Sequence, residues 1–178
     1  MSDKIISVFG GSSPRSGRSA YQVAYDIGRL LAENDFAVAT GGYIGTMSAV
    51  SQGAAEAGGH VIGVTSEQIE RFRPIKPNQW VREEIRFESL QDRLIHLVRH
   101  NDGMIVLPGG IGTLSEMALA WSYLQVGEIP ARPLVLFGPH WQSVINSFVD
   151  PMYVRPEHIH LLQFASYPKQ AVKYIVNH

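Results

Sequence analysis

The sequence predicts an α/β fold built on a doubly wound parallel sheet, and three observations carry that prediction. Short apolar runs alternate along the chain with stretches whose apolar residues recur at helical spacing. The short runs are apolar on both faces, as strands covered by helices on both sides must be. Three of them end in glycine-rich turns.

The elements follow in order. Ile5-Ile6-Ser7-Val8-Phe9 reads as a buried strand closed by Gly10-Gly11-Ser12-Ser13. A helix is predicted over residues 19–33, where Val23, Ile27, Leu30 and Leu31 share a face. Residues 36–39 form the next strand, closed by Thr40-Gly41-Gly42. A helix rich in small residues covers about 45–57 and stops at Gly58-Gly59. Residues 60–64 make a third strand. Residues 66–80 contain Pro74, Pro77 and several charges without a clear period, so they read as a long loop, a feature often functional. A helix over 89–99 places Leu90, Leu94, Leu97 and Val98 together. The strand 104–107 runs into Pro108-Gly109-Gly110, and a helix follows over about 112–125. A strand at 134–137, a helix at 142–149, a short strand at 161–165 and a helix at 168–176 complete the chain. No repeat, low-complexity tract or linker interrupts it, and 178 residues suit one domain spanning 1–178.

Composition narrows the function classes. Hydrophobic residues make up 45% of the chain, enough for a sizeable core. A charged fraction of 17% and a net charge of -1 leave no electrostatic footprint for nucleic acid or a membrane surface. Without cysteine there are no disulfides or thiolate metal sites. The seven histidines, His158 and His160 among them, lack metal-ligand spacing with nearby carboxylates, so no metal and no cofactor is expected. Met1-Ser2-Asp3-Lys4 does not begin a signal peptide, and no apolar run approaches the roughly 20 residues that span a bilayer. A cytoplasmic location is expected. Low charge density also points to apolar surface covered by a second subunit.

The turns carry the chemistry. In a doubly wound sheet, ligands bind beyond the carboxyl ends of the strands, where strand order reverses. Gly109-Gly110-Ile111-Gly112-Thr113 is the most informative turn: glycines let a backbone approach a ligand, and free N–H groups at the next helix start attract a phosphate. The first turn lacks the Gly-Lys-Ser/Thr of a Walker motif, and no acidic residue ends the second strand, against an ordinary NAD site. Ser12 lies in no Gly-x-Ser-x-Gly elbow. Trp80, Trp121 and Trp141 read as core or interface residues. Thr113 and Glu116 form a Thr-x-x-Glu capping box by local sequence, although a carboxylate there also reaches a sugar hydroxyl or an attacking water. Arg93 beside Asp92 has the pattern of a surface ion pair.

Pro108-Gly109-Gly110-Ile111-Gly112-Thr113-Leu114-Ser115-Glu116 resembles the Pro-Gly-Gly-x-Gly-Thr-x-x-Glu signature of the LOG (Lonely Guy) family. Its members are cytokinin riboside 5'-monophosphate phosphoribohydrolases, long mislabelled lysine decarboxylases. The resemblance runs through almost the whole chain. Val8-Phe9-Gly10-Gly11-Ser12-Ser13 is similar to the family's first turn, with Gly10 where Cys is frequent. Gly41-Gly42-Tyr43-Ile44-Gly45-Thr46-Met47 resembles its Gly-Gly-x-x-Gly-Leu-Met segment, and Gln91-Asp92-Arg93 falls on its His-x-Arg. The resemblance implies a Rossmann-like nucleotide-binding fold, with Arg93 and Glu116 catalytic. Gly110 to Thr113 would hold the 5'-phosphate of a nucleoside monophosphate. Gly11, Ser12, Gly42, Gly109 and Ser122 would join the nucleotide site. It also implies a homodimer through helices near the site, with Leu114, Met117, Ala118, Trp121 and Leu124 as a contact surface or, equally, as packing onto their own sheet. Leu94 and Ser115 stand where the family has Lys and Glu, and Glu67 and Glu70 are poor matches for its loop carboxylate.

The expected reaction is hydrolysis of the N-glycosidic bond of a purine nucleoside 5'-monophosphate, of AMP or cytokinin riboside type. The alternatives are a non-catalytic carrier or sensor of a phosphorylated nucleotide or molybdopterin-type ligand, and a scaffold with a vestigial site. Lysine decarboxylation would require a lysine Schiff base to pyridoxal phosphate, and Lys4, Lys76, Lys169 and Lys173 all lie away from the predicted turns.

Overall fold

A computed structural model describes residues 4–178; Met1, Ser2 and Asp3, on which the reading of the chain's start rests, lie outside the described residues. The strands are β1 (Ile5–Phe9), β2 (Ala37–Thr40), β3 (Val61–Ser66), β4 (Glu83–Phe87), β5 (Gly103–Val106), β6 (Leu134–Phe137) and β7 (Leu162–Ala165). They form one parallel sheet in the order β4-β3-β2-β1-β5-β6-β7. Ile6 sits opposite Val38 on one side and Val8 opposite Ile105 on the other. The chain therefore winds outward in one direction from β1 to β4 and in the other from β5 to β7.

Each face of the sheet has its own core. On one face Ile6 and Val8 pack with Ala24, Ile27 and Leu31 of α1 (Ser19–Glu33), Val50 of α2 (Thr46–Glu56) and Ile175 of α8 (Pro168–Val176). On the other, Phe9, Met104 and Val106 pack with Leu97 of α4 (Leu90–Arg99), Met117 and Trp121 of α5 (Ile111–Val126), and Trp141 of α6 (Pro139–Phe148). The double winding read from two-sided apolar strands is what the structure has. No helix of the described residues is long and apolar enough to cross a membrane.

The segment read as a long loop at 66–80 is partly ordered. It holds α3 (Glu67–Phe72), and β4 follows it as an edge strand. Neither has a strong sequence signal. Helix α3 has no buried residue, so no apolar stripe marks it, and its support within the helix is the Arg71–Glu67 pair at 2.7 Å. Strand β4 turns Glu83, Glu84 and Arg86 to solvent, as edge strands do. The four-residue helix α7 (Pro156–Ile159) was also not foreseen. On α5, Met117, Trp121 and Leu124 pack onto their own sheet, while Ile111, Leu114, Ala118 and Ser122 face outward without a charge.

Candidate active site

Between β1 and β5 the winding reverses, and the turns that follow these two strands meet there with the turn after β2. The Gly11 N–H donates to the Pro108 carbonyl at 3.1 Å. The Gly11 carbonyl in turn accepts from the Thr46 N–H and the Thr46 hydroxyl, both at 3.0 Å. Such contact needs bare backbone. Gly45 has φ 74°, and a Cβ on it would lie 2.5 Å from the Gly11 oxygen. A Cβ on Gly109 would overlap the Thr113 hydroxyl. These glycines let one turn of the chain pack against another.

Above the joined turns opens a cleft of about 390 Å³. Gly110 and Gly112 border it differently from Gly109: a Cβ on either would meet nothing within 4 Å. Helix α5 begins at Ile111, with Gly110 as its N-cap and no side chain capping it. Its first N–H groups are thus left for another acceptor.

This start corrects the capping-box reading. Thr113 lies within the first turn, and the Glu116 carboxylate accepts from Arg93 Nη1 at 3.1 Å. Both partners are 7% exposed. Arg93 Nε donates to the Val64 carbonyl at 3.0 Å, which fixes the guanidinium to β3. Room for it exists because a Cβ on Gly41 would overlap the guanidinium. The surface pairing of Arg93 with Asp92 is likewise replaced: Asp92 belongs to the cap of α4, where its N–H donates to Ser89 Oγ at 3.0 Å. Burial pushes the Glu116 carboxyl above the usual carboxylate range, and Arg93 opposes that rise.

The cleft brings together Gly11, Ser12, Arg93 and Glu116 with Gly110, Ile111, Gly112 and Thr113. It leaves three predicted residues outside its lining. Gly109 is packed beneath Thr113. Gly42 spends its backbone internally, its N–H on Thr40 Oγ1 at 3.0 Å and its carbonyl on the Asn78 N–H at 2.8 Å. Ser122 is exposed further along α5. Glu67 and Glu70 pair with Arg86 and also lie outside the lining.

Sequence reasoning missed the far wall, made by Tyr43, Met47, Ile69, Phe72, Arg73 and Leu90. Tyr43 was visible in the second turn, but its partner was not: its hydroxyl accepts from the Ser66 N–H at 2.9 Å and lies 3.2 Å from Glu70 Oε1. Ile69, Phe72 and Arg73 belong to the segment taken for a loop. Among the described residues, the charged lining consists of Arg73, Arg93 and Glu116, and contains no lysine.

Known proteins carry related chains. A family model described as "Possible lysine decarboxylase" matches residues 47–175. "Probable cytokinin riboside 5'-monophosphate phosphoribohydrolase LOGL2" of Oryza sativa subsp. japonica is 32% identical over 173 residues, which are 94% of this chain and 70% of that protein. "Cytokinin riboside 5'-monophosphate phosphoribohydrolase LOG5" of Arabidopsis thaliana is 31% identical over 175 residues, 96% of this chain and 76% of that one. The structure of the molybdenum cofactor binding protein from Rippkaea orientalis superposes with a TM-score of 0.76 at 25% identity, covering 98% of this chain and 96% of that one.

Proposed function

The chain belongs to the LOG family, and from that premise we propose that it hydrolyses the N-glycosidic bond of a purine nucleoside 5'-monophosphate to free base and ribose 5-phosphate. The observation that carries this reading is the buried Arg93–Glu116 pair at 3.1 Å beside the uncapped start of α5.

The 5'-phosphate lies at the N–H groups of Gly110 to Thr113, where the helix dipole favours an anion. That remote grip sets the ribose against Glu116. As the bond from C1' to the base breaks, positive charge develops on the sugar, as in other glycoside cleavage. The Glu116 carboxylate stabilises that charge, takes a proton from the water whose oxygen adds to C1', and passes it on to the departing base nitrogen, so that the water's OH ends on the ribose and its H on the base. A carboxyl raised by burial is suited to this exchange. Arg93 holds Glu116 in place. The family model's description as a lysine decarboxylase finds, among the described residues, no lysine in the cleft to form a Schiff base.

The protein acts as a cytoplasmic homodimer of one-domain subunits. The uncharged outer face of α5 at Ile111, Leu114, Ala118 and Ser122 supports pairing there.

A second reading, a carrier of a phosphorylated or molybdopterin-type ligand, is supported by the likeness to the molybdenum cofactor binding protein. Ser115 favours it too: where the family has Glu, its hydroxyl donates to the Ile111 carbonyl at 2.8 Å. The test is turnover of AMP and of N6-isopentenyl-AMP, followed as free base, beside Glu116→Gln. Base release that disappears in the variant supports the hydrolase. No release from either nucleotide, with retained ligand binding, supports the carrier.

A further inference from the structure

We propose that Arg73 is a binding residue for the ligand's phosphate, clamping it from the side opposite the start of α5 and selecting a phosphate monoester over a diester. This deepens the reading of the cleft as a nucleotide site and rests on it.

Three observations lead to Arg73. The first is charge. Of the three charged residues in the lining, Arg93 and Glu116 are paired with each other. Among the described residues, no carboxylate lies within ion-pair distance of Arg73. The cleft therefore carries one uncompensated cation.

The second is position. Arg73 Nη1 donates to Ser12 Oγ at 3.2 Å. Ser12 follows Gly11, whose N–H is bonded to Pro108 directly before the glycine cradle. The guanidinium thus reaches across the cleft to the place where the first and third turns meet.

The third is support. The Arg73 N–H closes α3 on the Ile69 carbonyl at 2.8 Å. Helix α3 is itself fastened to the edge strand by Arg86, whose two terminal nitrogens donate to Glu70 at 2.9 and 2.8 Å. Gln68 adds a bond from its side-chain oxygen to the Leu90 N–H at 2.7 Å. The helix that carries Arg73 is anchored to its neighbours through Gln68 and Glu70.

The charges match one ligand class. A helix N-terminus presents roughly half a positive charge, and the guanidinium adds a full one. A phosphate monoester brings about -1.5 to -2 near neutral pH, whereas a diester brings a single negative charge. Both are satisfied by the same donors, so the surplus cation is what separates them.

The test is calorimetric binding of AMP and of cyclic AMP to the protein, Arg73→Gln and Arg73→Lys, with steady-state kinetics on AMP. Arg73→Gln is expected to weaken AMP by about tenfold or more, the scale of a lost charge-assisted hydrogen bond. It should weaken cyclic AMP far less, and Arg73→Lys should restore part of the loss. In turnover the effect falls on KM more than on kcat. Arg73 is exposed, so the melting temperature serves as the control for folding. Equal AMP affinity in Arg73→Gln overturns the proposal, as does equal weakening of both nucleotides or a protein that binds neither. If AMP binds through Arg73 and no base is released, the proposal holds and the hydrolase reading fails.

Discussion

Glu116 stands one turn inside α5, yet its carboxylate caps no N–H of the helix start and pairs instead with Arg93, 3.1 Å distant. The two residues come from helices on the same face of the sheet, and both are nearly sealed from water. A cap would have spent this carboxylate on the first N–H groups of α5. Its diversion frees those donors for a ligand and leaves an acid group beside them.

Replacing Glu116 by Gln keeps the shape and removes the proposed base. We expect kcat to fall about 10²- to 10⁴-fold. The pH profile of the unaltered protein follows from the same group. In the proposed reaction Glu116 works ionised, and burial holds its pKa above the ordinary carboxylate range, so activity is expected to fall on the acid side at a higher pH than an exposed Glu would give. An acid limb at ordinary carboxylate pH would contradict the assignment.

The pair should behave as a unit in stability. Arg93→Met leaves a carboxylate buried without its partner, at a cost of about 3–5 kcal/mol, reduced where Glu116 takes up a proton. Arg93→Met combined with Glu116→Leu should recover most of the loss. Urea unfolding of both variants measures this. A single variant as stable as the parent would mean that the two charges are not coupled in solution.

The sequence displayed whatever buries apolar surface and little else. Helix α1 at Ser19–Glu33 and α8 at Pro168–Val176 were legible to the residue, because their apolar periodicity ends where the burial ends. Helix α3 and strand β4 bury too little to leave a pattern. The glycine turns were legible as turns, but their division of labour was not. Gly45 and Gly109 admit neighbouring chain, and Gly110 and Gly112 border open space. That difference depends on what lies across the cleft. Arg93 and Glu116 are 23 residues apart, and local spacing favoured Asp92 and Thr113 as their partners. Only the family signature singled them out in advance.

Acid should loosen the far end of the sheet. His96 is half-buried, with its ring stacked on His100 at 4.2 Å and tilted against Phe87 at 5.1 Å. Burial lowers its pKa from 6.5, and the neighbouring His100 adds to the fall. The unfolded chain then binds the proton more readily than the folded one, so this contribution to stability is complete above pH 6.5 and is lost as pH falls through the lower folded value. Melting temperature against pH should show the decline, and His96→Gln should flatten it. An unchanged slope in the variant would place the acid sensitivity elsewhere.

The glycines of the cradle offer the sharpest separation of folding from binding. A Cβ on Gly112 would meet nothing within 4 Å beyond its own turn of helix, and the residue lies inside the first turn of α5. Ala has the better helix propensity, by about 1 kcal/mol in a helix interior, so Gly112→Ala should fold at least as stably as the parent. The new methyl nevertheless borders the cleft, where the proposed reading puts the phosphate against the backbone. Affinity for AMP should therefore fall while the melting temperature holds or rises. Gly109→Ala should do the reverse in its first effect: its methyl overlaps the Thr113 hydroxyl and would lie 2.9 Å from the Gly11 N–H nitrogen, so the joined turns must separate and the melting temperature drops. Calorimetric titration with AMP beside thermal unfolding of the two variants decides it. Gly112→Ala binding as tightly as the parent would show that the ligand does not approach the start of α5, and the assignment of the phosphate to that cradle would have to be abandoned.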